Sequence, residues 1–275
     1  MDNPYIQGEI ACCNVLSDLY SMGITTCDSI LMILGVSLSM KEKEREIITR
    51  EMIKGFNDKA TEAGTKITGG QSVMNPWPMI GGTAFTVLEK FKVVFPNYCE
   101  DGDVLVLTKP FGTGVISTAV KFVKAKAETV DAALKVMMSS ARNESIAMQE
   151  TGVNACTDIT GFGFLGHAFE LAKASNVTLK IESNKIPLLP DVLDLIEQNM
   201  LTRGDKNNRK YVGNTIKFGK NITKEMQSAL FDPQTAGGLL ISLEERKAID
   251  YLKKVTHATI IGRVKKAGDY LLEIK

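Results

Sequence analysis

Thr157-Asp158-Ile159-Thr160-Gly161-Phe162-Gly163-Phe164-Leu165-Gly166-His167 puts one carboxylate, two hydroxyls, three glycines and one of the chain's two histidines into eleven residues. Glycines cost backbone entropy, and a carboxylate such as Asp158 is expensive to bury without a partner. Both features suit a backbone that must come close to an anion while Asp158 holds a cation. A helix opening near Gly166 would add free N–H groups and the positive end of its dipole. The stretch points to nucleotide or phosphate chemistry with a hard metal ion, Asp158 bridging metal to phosphate. A plain glycine-rich connection with Thr160 as helix cap is the alternative.

The chain around it has 275 residues, 44% of them hydrophobic and 24% charged, with a net charge of +1. That is the composition of a globular protein able to bury a sizeable core. Without a basic or acidic block there is no electrostatic case for nucleic acid or an anionic membrane surface. No apolar run approaches the roughly 18 residues of a membrane span, and Met1-Asp-Asn-Pro-Tyr5 has no signal-peptide character. Cys12, Cys13, Cys27, Cys99 and Cys156 are scattered without C-x-x-C or Cys/His metal spacing, which fits a reduced, cytoplasmic setting.

Apolar spacing predicts helices over 8–22, 40–64, 114–126, 129–151, 166–175 and 243–255, with Gly64 ending the second. Strands are expected over 28–37, which reads as buried, and over 66–68, 80–90, 103–108, 177–182, 237–243, 259–264 and 270–274. Asn75-Pro-Trp-Pro78 reads as a turn. Strands and helices mix in both halves, so the expectation is two α/β or α+β domains, residues 1–100 and 101–275. No internal repeat or low-complexity segment is visible.

Asp18 sits mid-helix beside Asn14, where aspartate is a poor helix residue. It reads as a Mg²⁺ ligand, since hard cations take carboxylate and amide oxygens, or as part of a solvated face. Gly69-Gly70-Gln71-Ser72 after a short strand could form an anion-binding nest or an ordinary turn. No G-x-x-x-x-G-K-[ST] loop is present. His167 reads as a base or, in preference, as a structural histidine at a helix start, His257 reads as structural, the cysteines lack a nucleophile's partner in sequence, and the twelve methionines read as core packing. Arg203-Gly204-Asp205 spells an adhesion tripeptide by chance.

Together these segments resemble the selenophosphate synthetases (selenide, water dikinases). Thr157–His167 resembles that family's signature. Asp232-Pro-Gln-Thr-Ala-Gly-Gly-Leu-Leu240, Asn14-Val-Leu-Ser-Asp18-Leu-Tyr-Ser-Met-Gly23, Thr68-Gly-Gly-Gln-Ser72 and Asp103-Val-Leu-Val-Leu-Thr-Lys-Pro110 match in the same order, over essentially the whole chain. The resemblance implies the aminoimidazole ribonucleotide synthetase fold. In it an N-terminal α+β, ATP-binding domain pairs its sheet across a homodimer and a C-terminal α/β domain follows. It implies synthesis of selenophosphate, AMP and phosphate from ATP, selenide and water, with several Mg²⁺ ions, usually K⁺, and a selenide-delivery protein as a candidate partner. Carried over by position, Asp18 would ligate Mg²⁺ and contact ATP. Gly69, Gly70, Gln71 and Ser72 would line the ATP site, and Asp158 would be a Mg²⁺ ligand.

The family's Asp-Asn-Pro segment falls here at the first residues. The resemblance therefore implies that a preceding glycine-rich arm, with a Cys or selenocysteine and a Lys, is not in this sequence, and no catalytic residue is assigned. A poorly active, truncated form is the expectation. Arg203-Gly-Asp-Lys-Asn-Asn208 also departs from a Gly-Gly-Thr-x-x-Asn stretch that contacts phosphate in many relatives. A non-catalytic nucleotide- or partner-binding paralogue, or another ATP-using enzyme of the superfamily, are the alternatives.

Overall fold

The computed structural model describes residues 3–89 and 93–275. Helix α1 spans Pro4–Ser21. It starts earlier than apolar spacing implies because the Asn3 side chain accepts from the Tyr5 and Ile6 N–H groups and proline fits the first turn. Strand β1 (Ser29–Ser37), helix α2 (Glu42–Glu62) and strand β2 (Ile67–Asn75) form a parallel βαβ unit, and β3 (Met79–Phe85) pairs antiparallel on the other side of β1. The strand expected to reach Lys90 ends at Phe85, and Lys90 itself lies outside the described residues.

Two expectations fail in this sheet. Strand β1 is buried on one face only: Ile30 and Leu34 pack inward while Leu31 and Ile33 are exposed. Apolar residues on both faces hid the period-2 alternation. Strand β2 also does not stop at Thr68. It runs through Gly69–Ser72 in register with Leu31–Leu34, so this segment is neither a nest nor a turn.

The second sheet contains β4 (Val104–Leu107), β5 (Ala155–Asp158), β6 (Val177–Ile181), β7 (Ile216–Phe218), β8 (Leu239–Leu243), β9 (Thr259–Lys266) and β10 (Leu272–Ile274), in the order β5-β8-β4-β9-β6-β10-β7. Its pairs are antiparallel except β6/β10 and β10/β7. All four residues of β4 are buried, as expected of a strand covered on both faces. Helices α3 (Thr113–Lys121), α4 (Ala127–Met138), α5 (Arg142–Thr151), α6 (Gly163–Ser175), α7 (Val192–Glu197), α8 (Arg203–Val212), α9 (Lys224–Phe231) and α10 (Glu245–Lys254) surround it. The helix expected over 129–151 breaks in two at Ser139-Ser140, where the Ser140 hydroxyl takes the Arg142 N–H and competes with the helical ladder.

One core cluster lies between this sheet and α6, with Leu107, Phe164 and Leu240 at its centre. Another covers the opposite face and draws Leu16, Tyr20 and Phe56 of α1 and α2 against Val106, Ile241 and Tyr251. Helix α1 is thereby fixed against the larger sheet, which sets the site. Among the described residues no helix is long and apolar enough to cross a membrane.

Candidate functional site

Strands β4 and β5 flank β8, both antiparallel to it. The two therefore run parallel, and the helices that follow them, α3 and α6, open at the same edge of the sheet. The segment Asp232–Gly238 passes between the two openings. Its Gln234 N–H donates to the Thr160 carbonyl at 2.9 Å, and Ile159 N–H donates to Gly238 O at 2.9 Å.

The α3 opening is filled by the protein itself. Asp232 Oδ2 accepts from Gly114 and Val115 N–H at 3.0 and 3.1 Å. Gln234 Oε1 accepts from Gly112 N–H, Thr113 N–H and the Thr113 hydroxyl at 3.0–3.1 Å. Asp232 is buried and its Oδ1 has no partner among the described residues. Burial pushes its carboxyl up to about 7 despite the bonds to Val115, Gln234 and Gly114 that favour the charged form.

The α6 opening holds no side chain, and among the described residues only its Gly163 N–H is engaged, by the Thr160 carbonyl at 3.0 Å. The helix starts at Gly163, three residues before the expected Gly166, and no side chain caps it; Thr160 does not serve as the cap. Gly163 has φ +67°, and a side chain there would meet the Phe231 carbonyl at 2.7 Å. Beside Gly161 the space is empty to 4 Å. It opens on a cleft of about 710 Å³ lined in part by Asn14, Gly81, Gly82, Thr160, Gly161 and Thr235. Asn208 fixes the floor, its Nδ2 donating to Gly161 O at 3.1 Å and Phe231 O at 3.0 Å.

Helix α1 forms the opposite wall. Asn14 Oδ1 accepts from the Ala236 N–H at 3.2 Å. Ala236 is held at φ +47°, and its carbonyl takes a hydrogen bond from the buried Lys109 ammonium at 3.0 Å. Lys109 also donates to Val136 O and Ser139 O, so its charge is spent on carbonyls. The Ser17 hydroxyl donates to Asp158 Oδ2 at 2.6 Å inside the protein. Asp18 is exposed next to it, and surrounding protein and then the Asp158 charge push its carboxyl above the usual range.

The structure thus brings Asp18 and Asp158 together, with no ion-pair partner for either among the described residues. Two neighbouring carboxylates outside any direct ion pair, with the Lys109 ammonium acting on Asp158 only electrostatically, fit a divalent metal ion. No group of three or more His, Cys, Asp or Glu occurs among the described residues. That donor set suits Mg²⁺, which keeps several waters and takes oxygens from substrate phosphate.

Gly69, Gly70, Gln71 and Ser72 are not part of this cluster. They lie on β2, on the far side of β1 from the cleft-lining β3. A side chain at Gly70 would sit 1.8 Å from the Met32 carbonyl, so close strand pairing requires glycine there. His167 is held at both ring nitrogens: Nδ1 lies 3.3 Å from Glu170 Oε2 and Nε2 3.2 Å from the Thr160 hydroxyl. Burial pulls its pKa down against the pull of Asp158 and Glu170. His257 meets the buried Glu144 at 3.0 Å, remote in sequence from every segment of the cleft. Cys12, Cys13, Cys99 and Cys156 are buried and their thiols pushed up, foremost by burial. Arg203-Gly204-Asp205 opens α8, where Thr202 caps Asp205 and Arg209 pairs with it at 2.7 Å.

Sequence reasoning quoted the segments that hold Ser17, Asn208, Asp232 and Gln234 but gave none of these residues a role. Asn208 carried a signal, being an amide inside a short helix where asparagine is a poor choice.

Residues 1–88 match the family described as AIR synthase related protein, N-terminal domain, and residues 100–275 its C-terminal domain. A "Selenide, water dikinase" of Caldanaerobacter subterraneus subsp. tengcongensis is 37% identical over 280 residues, covering 100% of this chain and 79% of its own length. "Selenide, water dikinase 2" of Mus musculus is 45% identical over 291 residues, covering 98% of this chain and 59% of its own. Among solved structures, the hydrogenase maturation protein HypE in complex with ATP superposes with a TM-score of 0.68 at 16% identity, over 95% of this chain and 72% of that one, a likeness of fold. With both AIR synthase related domains present and relatives this similar along its length, the chain belongs to the selenide, water dikinase family.

Proposed function

We propose that this chain carries the ATP- and metal-binding machinery of ATP-dependent selenophosphate synthesis for selenoprotein production. The observation that supports it best is that the N-terminus of α6 carries no side-chain cap and follows directly on β5, whose last residue Asp158 interacts with Asp18 and pairs with no cation among the described residues. The N–H groups around Gly161 and at the start of α6, apart from the Gly163 N–H already bound to the Thr160 carbonyl, would take phosphate oxygens. Asp18 and Asp158 would hold Mg²⁺, which when bound neutralises phosphate charge and fixes the geometry of transfer. Asn14, Ser17 and Asn208 keep the walls in place so that little reorganisation is left for the reaction.

Residues 1–100 and 101–275 are taken as two domains joined at this cleft. Gly69, Gly70, Gln71 and Ser72 would line part of the ATP site from the edge strand. The exposed sheet face of Leu31, Ile33, Val73, Met79 and Phe85 supports a homodimer in which a second copy covers that edge. K⁺ and a selenide-delivery protein are further expected partners, in a cytoplasmic setting. The nucleophile, a Cys or selenocysteine with a nearby Lys, is not assigned to any residue here, and no cysteine is among the residues lining the cleft.

Calorimetry with Mg-ATP and phosphorus NMR with ATP and selenide test this reading. The expected result is Mg²⁺-dependent nucleotide binding with little selenophosphate from this chain alone. Absence of Mg-ATP binding would contradict the assignment of the cleft. Brisk selenide-dependent selenophosphate would contradict the assignment of the nucleophile elsewhere.

A further inference from the structure

Serines inside helices usually turn their hydroxyl back onto a carbonyl of the preceding turn. Ser21 does so, donating to Asp18 O at 2.9 Å. Ser17, one turn earlier, does not. Its hydroxyl leaves the helix and donates to Asp158 Oδ2 at 2.6 Å, between two residues that are 4% and 8% exposed. Asp158 Oδ1 has no hydrogen-bond partner among the described residues. Asp158 closes strand β5 of the larger sheet, while Ser17 sits beside Asp18 on a helix that packs against the smaller one.

We propose that Ser17 is a positioning residue for the metal site: it holds Asp158 by one oxygen so that the other faces Asp18 and the ion. The hydroxyl has only one proton to give and the carboxylate only accepts, so the bond fixes which oxygen is free. Asn14, one turn back, holds Ala236 in the opposite sense, its Oδ1 accepting the Ala236 N–H, so α1 pins the end of β5 and the Asp232–Gly238 loop. The site is complete only when α1 is docked.

Partners of this kind typically change metal affinity by about 10–100-fold when removed. The proposal rests on the metal reading of Asp18 and Asp158, so the test separates the two. Binding of Mn²⁺ alone is measured by calorimetry and electron paramagnetic resonance, with melting temperature followed in parallel. In Ser17→Ala the Mn²⁺ dissociation constant is expected to rise by about 10–100-fold. Ser17→Thr, which keeps the hydroxyl, is expected to recover most of it. Ser17→Cys keeps the size with a weaker donor and should fall between them, which covers an alanine variant that fails to fold. An unchanged dissociation constant in Ser17→Ala or Ser17→Cys, with only the melting temperature lowered, would leave Ser17 a purely structural residue and overturn the proposal. A wild-type chain that does not bind Mn²⁺, or an Asp158→Asn variant that binds it unchanged, would overturn the metal reading and the Ser17 role with it.

Discussion

Helices α3 and α6 follow parallel strands and open at the same edge of one sheet, yet their N-termini are in opposite states. At α3 the Asp232 carboxylate and the Gln234 amide occupy Gly112, Thr113, Gly114 and Val115. At α6 no side chain caps the first turn, among the described residues only the Gly163 N–H is engaged (by the Thr160 carbonyl at 3.0 Å), and Gly161 opens on the cleft. Both ends carry the same partial positive charge. Helix geometry alone therefore does not make a phosphate site; what decides is whether the protein's own acceptors already sit there. One loop, Asp232–Gly238, fills the first opening and frames the second.

Variants can break this contrast from either side. The largest effect is expected at the open end. Asp158→Asn should weaken Mg-nucleotide binding by about 100-fold or more, beyond the 10–100-fold range of an outer partner, with the fold retained; titration calorimetry reads it. At the filled end, Asp232→Ala orphans two N–H groups and is expected to cost about 3 kcal/mol, a melting shift of roughly 6–10 °C. It should leave Mn²⁺ affinity nearly unchanged, because Asp232 belongs to the filled end.

The pH dependence sharpens the same comparison. Asp232 has its pKa raised to about 7 in the folded protein, so the folded state holds this proton more tightly than the unfolded chain. Its contribution to stability is complete below about pH 4 and is lost as pH rises through about 7, by a few kcal/mol at most. Chemical denaturation across that range should show the decline in the wild type and a flatter profile in Asp232→Asn.

Smaller effects belong to the frame. Asn208→Ala leaves the Gly161 and Phe231 carbonyls without their donor and is expected to cost about 2 kcal/mol, with weaker nucleotide binding. His167→Phe releases the Thr160 hydroxyl and should cost about 1 kcal/mol.

Much of this was legible in the chain, for physical reasons that differ by residue. Asp18 and Asp158 stood out because each is a poor choice for its local structure unless something binds it, and the fold brings them together. The glycines of 161–166 marked a close backbone approach, which Gly163 makes against Phe231. By contrast Gly69-Gly70 looked like a loop, since glycine weakens strands. Its true cause, the Met32 carbonyl of a neighbouring strand, is a contact between distant residues that no local pattern contains. β5, β7 and α7 are too short for periodicity to register. Ser17 was invisible because a serine in a helix is ordinary until its hydroxyl's destination is known.

The most direct test is amide hydrogen exchange with and without Mg-AMPPCP. The expected result is new protection within Gly161–Leu165, outside the already bonded Gly163 N–H, with Gly112–Val115 already slow and unchanged. Protection appearing at Gly112–Val115, or no change at Gly161–Leu165, would contradict the assignment of α6 as the phosphate-binding end.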